Sequence, residues 1–175
     1  MERYRDGDAG AFDLIYSRHK GALFRFMLRQ CGSRGTAEEL FQEVWMNLIR
    51  ARASYTVQAK FSTYLYRLAH NRLIDHYRSQ GGGVLASFDD DQGPVLENVA
   101  GRRGDDPAVA VDARQQAHRL LQLIEDLPQA QREAFLLQQE SNMSVEEIAQ
   151  ATGVNRETAK SRLRYAIAKL RQGMG

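Results

Sequence analysis

This sequence predicts an all-α protein of two small helical domains, over residues 1–80 and 113–175, joined by a flexible acidic linker over 81–112. Three observations lead there. Apolar residues recur at helical spacing on both sides of the middle of the chain, and no stretch sustains the apolar/polar alternation of a half-buried strand. Proline occurs only at Pro94, Pro107 and Pro128. The segment 81–112, GGGVLASFDDDQGPVLENVAGRRGDDPAVAVD, holds three consecutive glycines and two of those prolines, with seven acids against two arginines. It buries too little apolar surface to stay folded alone and reads as a mobile tether.

The first helix spans about 8–31, with a stripe of Phe12, Ile15, Tyr16, Leu23, Phe26 and Met27, and stops at Gly32. The second, about 36–52, is read as starting at Thr36, which lies three residues before Glu39 in a capping-box pattern. Its apolar positions Leu40, Phe41, Val44, Trp45 and Leu48 leave Glu38, Glu39, Gln42 and Glu43 near its start. In the third, 61–79, Phe61, Leu65, Leu68 and Ala69 face a core, while Arg67, Asn71 and Arg78 gather on another side with Tyr64 and Ile74. With Lys60, residues 60–80 carry four Lys and Arg against Asp75. Cations, an amide and an aromatic edge suit unpaired DNA, whose bases can stack on rings. The plainer alternative is a wet helix face with tyrosines at its margin.

Beyond the linker, helices are expected at about 114–126 and 128–140, Pro128 fitting a first turn. Then comes Ser144–Leu170, SVEEIAQATGVNRETAKSRLRYAIAKL. Ser144 and Glu147 form a capping box, Gly153 supplies a left-handed turn, and Asn155 caps a last helix running to about Arg171. Helix, glycine turn and helix make the helix-turn-helix unit, whose second helix enters the DNA major groove. In that helix Ala159, Leu163, Ala166, Ile167 and Leu170 point inward, and Glu157, Ser161, Arg164 and Tyr165 point outward, flanked by Lys160 and Arg162. Over 155–172 six basic residues face one acid. Arg156, Glu157, Thr158, Lys160, Ser161, Arg162, Arg164 and Tyr165 are the candidates for base edges and phosphates.

Composition excludes other classes. The net charge of +2 says little, whereas its distribution says much. A single cysteine, Cys31, rules out an internal disulfide and a cysteine metal cluster, and is read as a partly buried structural thiol. No run approaches the ~18 apolar residues of a membrane span, and MERYRDGDAG is not a signal peptide. A cytoplasmic protein without membrane insertion is expected.

Taken together, the two halves resemble the extracytoplasmic-function, or group four, sigma factors of bacterial RNA polymerase, within the sigma-70 family. The resemblance rests on GDAGAFDLIYSRHKGALFRFM, AEELFQEVWMNLIRA and FSTYLYRLAHNRLIDHYRS, and later on LPQAQREAFLL followed by MSVEEIAQATGVNRETAKSRLRYAIAKLR. It implies a dissociable subunit that gives core polymerase its promoter specificity. Residues 1–80 would then be region 2, which docks on the polymerase and melts and reads the −10 element, and 113–175 would be region 4, which grips the −35 element as duplex. Glu39, Gln42, Glu43 and Trp45 are the implied contacts to the clamp of the largest polymerase subunit. Lys60, Tyr64, Arg67, Asn71 and Arg78, with the loop 53–60, are the implied −10 readers. Region 4 would also touch the flap of the second-largest subunit, and the linker would thread the RNA exit path. An anti-sigma factor is the implied inhibitor. Two positions depart from the family pattern, Ala159 in place of a branched residue and Asn155 in place of a frequent proline; neither removes a binding group.

An enzyme is not expected, nor a cofactor or metal. The histidines are His19, His70, His76 and His118; six residues apart on one helix, His70 and His76 lie on different faces, unsuited to a shared metal. No strand precedes a glycine-rich phosphate loop. The other rival is a dimeric helix-turn-helix regulator that binds two-fold symmetric duplex without polymerase; the acidic second helix and the Tyr64/Arg67/Asn71 face favour the sigma reading.

Overall fold

Every regular element among the described residues is helical. The computed structural model describes residues 1–81 and 108–175, with side chains from residue 113 in the second stretch. Residues 82–107, most of the expected acidic linker, lie outside the described residues. The helices are α1 (Glu2–Arg5), α2 (Ala9–Cys31), α3 (Arg34–Arg50), α4 (Phe61–Ser79), α5 (Ala108–Glu125), α6 (Gln129–Ser141), α7 (Val145–Thr152) and α8 (Arg156–Met174), with a 3-10 turn at Arg52–Ser54. None of them is long and apolar enough to cross a membrane.

Helix ends follow local chemistry. Gly32 closes α2 in the left-handed region at φ 66°, its N–H bonding the Leu28 carbonyl at 2.9 Å. Asn142 plays the same part after α6 at φ 50°, a conformation asparagine tolerates better than most residues. Ser144 caps α7 with both halves of a capping box: the Glu147 amide donates to Ser144 Oγ at 3.2 Å, and the Ser144 amide donates to Glu147 Oε2 at 2.9 Å. Gly153 at φ 71° makes the turn, and Asn155 Oδ1 accepts from the Thr158 amide at 2.8 Å to start α8. Ser144→Ala is therefore expected to lower stability by about 1 kcal/mol, read as a fall in thermal midpoint with fold and helix content retained.

Three elements differ from expectation. α3 begins at Arg34, two residues before Thr36, with Ser33 as an N-cap that makes no side-chain bond. The backbone is already helical there, since the Ala37 amide bonds the Ser33 carbonyl at 2.9 Å and Arg34 pairs with Glu38 at 2.9 Å one turn on. The Thr36–Glu39 pattern is thus not a working cap. α5 starts at Ala108 rather than near 114, and the short α1 precedes the first expected helix.

In the N-terminal half α3 packs against α2 and α4. Leu23, Phe26, Met27, Val44, Leu48, Leu65 and Ala69 are fully buried between them. Phe26 meets Tyr66 edge-on with ring centres 5.2 Å apart, and Phe12, Tyr16 and Phe41 surround Trp45 at 5.0–6.2 Å. In the C-terminal half α8 packs against α5, α6 and α7. The halves also touch each other, α2 against α6 and α4 against α7, and the buried apolar cluster runs through both.

Candidate nucleic-acid interface

The two predicted DNA-reading surfaces sit on α4 and α8. On α4, the loop 51–59 folds over the first turns of the helix and encloses a cavity of about 420 Å3 lined by Tyr55, Thr56, Gln58, Thr63, Tyr64 and Arg67, among others. Tyr55 and Tyr64 meet edge-on at 4.9 Å, so aromatic surface borders the cavity. Thr63 is buried, and its hydroxyl has no hydrogen-bond partner among the described residues. Asn71 is exposed one turn beyond Arg67, and Arg78 is exposed further along; neither lines the cavity. Lys60 stands at the N-cap of α4. Tyr55, Thr56, Gln58 and Thr63 were not singled out in the sequence; their only signal there was membership of the polar loop 53–60 and the adjacent turn.

α4 does not present this face to solvent alone. The Arg67 guanidinium donates to the Gln150 carbonyl of α7 through Nε at 3.1 Å and Nη2 at 2.7 Å. Lys60 pairs with Glu147 Oε1 at 2.6 Å. That bond, with the Ser144 amide, holds the Glu147 carboxyl below its ordinary range. Gln150 is also one wall of the cavity.

On α8, Glu157, Lys160 and Arg164 are exposed and Thr158, Ser161 and Tyr165 half-exposed. Arg164 lies over the Tyr165 ring at 5.1 Å. Arg156 is exposed but paired with Glu146 at 2.5 Å and Glu157 at 3.1 Å, which draws it toward α7. Arg162 is a correction: at 8% exposure it is packed within the C-terminal half and offers no open guanidinium to a groove. The inward stripe of this helix is wider than Ala159, Leu163, Ala166 and Leu170 alone, and position 162 falls at its margin.

The polymerase-facing set on α3 needs a similar correction. Glu39, Gln42 and Glu43 are exposed on one face, and Glu43 is bonded to Arg72 of α4. Trp45 is 5% exposed at the centre of an aromatic cluster, so its ring is core. Met46 (46% exposed) and Ile49 (37%) occupy the outer face instead. Counting from Glu39, residues 42, 43 and 46 follow the i+3, i+4, i+7 spacing of a single face, and Trp45 does not. That spacing was available in the sequence.

Cys31 is half-buried, and burial pushes its thiol up to about 11, as expected of a structural cysteine.

Comparison with known proteins identifies the family. Sigma-70 region 2 matches residues 15–82, and Sigma-70, region 4 matches residues 117–170. The RNA polymerase sigma factor CarQ of Myxococcus xanthus is 30% identical over 176 residues, covering 100% of this chain and 95% of CarQ. The ECF RNA polymerase sigma factor SigW of Bacillus subtilis is 26% identical, over 98% of this chain and 93% of its own. The solved structure of the sigma factor RpoE in complex with the anti-sigma factor NepR, from Bartonella quintana, superposes with a TM-score of 0.68 at 23% identity, covering 93% of this chain and 96% of that one. The chain belongs to the sigma-70 family, as an extracytoplasmic-function sigma factor that directs RNA polymerase to promoters.

Proposed function

We propose a division of labour in which residues 1–80 dock on core polymerase and read the −10 element as unpaired strand, residues 113–175 read the −35 element as duplex, and 81–112 tether them. The observation that carries this is the α4 cavity, lined by aromatic edges from Tyr55 and Tyr64, the Arg67 cation and the buried Thr63. A flipped base costs a few kcal/mol of unstacking, and such a pre-formed polar and aromatic cavity offsets that cost. Asn71 stands one turn away, where it can bond a neighbouring base. Glu39, Gln42, Glu43, Met46 and Ile49 form the face for the clamp of the largest subunit, an acidic and apolar patch suited to a basic helix pair. The chain supplies recognition in the cytoplasm and leaves bond-making to the polymerase. Because RpoE is bound to an anti-sigma factor in its structure, an inhibitory partner of that class is proposed here too.

Transcription in vitro with purified core enzyme, with start sites mapped across a genomic template, tests the reading. Defined start points dependent on this chain support it; failure to associate with core, or initiation without specific positions, refutes it. Within such an assay Asn71→Ala is expected to leave core binding intact and impair open-complex formation, measured by permanganate reactivity. Arg164→Ala is expected to weaken −35 recognition by ~1–3 kcal/mol if it contacts a base, measured by competition between matched and altered duplexes. An equal loss on every duplex would make it a phosphate contact.

A further inference from the structure

Arg72 ties the outer face of α3 to α4. Its Nε donates to Glu43 Oε2 at 2.8 Å, and Nη2 donates to the same oxygen. Nη1 donates to Asp75 Oδ2 at 3.2 Å, three residues further along α4. The Arg72 side chain is 26% exposed, less than Glu43 at 48% or Asp75 at 55%. Val44 and Leu73, the next residues along each helix, are buried, so the backbones that carry the pair are fixed. Glu39 and Gln42, the other polar members of that face, are exposed, and their side chains bond nothing among the described residues. Of the three, Glu43 alone is held in place by another helix.

We propose that Arg72 is a positioning residue for docking on core polymerase: without touching the polymerase, it fixes the Glu43 carboxylate in one conformation, ready for a cation on the clamp. The inference rests on the reading of Glu43 as a clamp contact. Two effects oppose each other. A bound guanidinium offsets some of the Glu43 charge, whereas a carboxylate fixed in advance gives up less side-chain freedom on docking. The geometry favours the second effect. Both bonds from Arg72 to Glu43 fall on Oε2, and Oε1 accepts nothing among the described residues. A carboxylate has lone pairs enough for a second donor on its other oxygen. Asp75 occupies another arm of the Arg72 fork, and two carboxylates against one guanidinium leave the cluster negative. It therefore still attracts a basic surface. The fork itself matters, because Nε and Nη2 converge on one oxygen, which an ammonium on a flexible stem holds less firmly.

The test is competition for purified core RNA polymerase between the labelled, unaltered chain and full-length variants. Arg72→Gln is expected to weaken core binding about 2- to 10-fold, the equivalent of immobilising one long side chain on docking, with Arg72→Lys falling between. In a Glu43→Ala background the same Arg72→Gln change is expected to have no further effect, since no carboxylate is left to position. Thermal midpoints close to that of the unaltered chain are expected, because a partly exposed ion pair adds little stability. Unchanged or tighter core binding by Arg72→Gln would overturn the positioning role. So would an equal loss in both backgrounds, which would make Arg72 a direct polymerase contact or a structural prop. Core binding that Glu43→Ala leaves unchanged would overturn the docking reading of Glu43, and the positioning role with it.

Discussion

Phe26→Ala is expected to destabilise the chain by about 3–5 kcal/mol, the range for emptying a fully buried aromatic site. Phe26 has no exposed surface and lies edge-on to Tyr66, itself almost wholly buried. The loss therefore includes the transfer of the ring, its edge-to-face contact, worth about 0.5–1.5 kcal/mol beyond burial, and a cavity where α2 meets α4. Helices at that junction are long and held from several sides, so the site cannot collapse around alanine. Urea unfolding followed by circular dichroism measures the shift. Phe26→Leu, which keeps most of the volume, should recover the larger part of it.

Arg132→Ala is expected to be the second large effect, although arginine is usually a surface residue. Its guanidinium donates to the carbonyls of Gln30 and Leu127 at 3.3 and 3.0 Å and to that of Glu125, joining the C-terminal end of α2 to that of α5. The Gln30 and Glu125 carbonyls lie at helix C-termini and carry the negative end of the helix dipole. Burial lowers the Arg132 pKa, yet the group stays charged because neighbouring groups and carbonyls favour the cation. Counting only the bonds to Leu127 and Glu125, charge-assisted contacts at about 1.5–3 kcal/mol each set a loss of roughly 3 kcal/mol or more. Arg132→Lys should rescue only part, since an ammonium cannot fork between carbonyls. Thermal unfolding of both variants gives the comparison.

Local signals were readable wherever a few neighbouring residues decide the outcome. The α4 limits, the Gly32 stop, the Ser144 box, the Gly153 turn and the Asn155 cap all depend on backbone groups within four residues. The start of α3 was misplaced because Thr36–Glu39 fits a cap, whereas the Arg34–Glu38 pair and helical backbone from Arg34 take the helix further upstream. Site residues were legible as faces but not as partners. Trp45 stood among the apolar positions of its helix and was named a polymerase contact through the family resemblance, whereas the i, i+3, i+4, i+7 face through Glu39 runs to Met46. Arg162 sits at the edge of a stripe whose width depends on the packing of α5 and α6 against α8. The contacts of Lys60 and Arg67 with α7 join positions more than eighty residues apart, and no periodicity within either helix encodes them.

The central claim is that α4 reads an opened strand while α8 reads a duplex. Permanganate footprinting of a mapped promoter, with holoenzyme carrying Tyr64→Ala, Arg67→Ala and Asn71→Ala together, tests it most directly. The predicted result is polymerase held at the promoter through α8 with the −10 thymines unreactive; thymines as reactive as with the unaltered chain would contradict it.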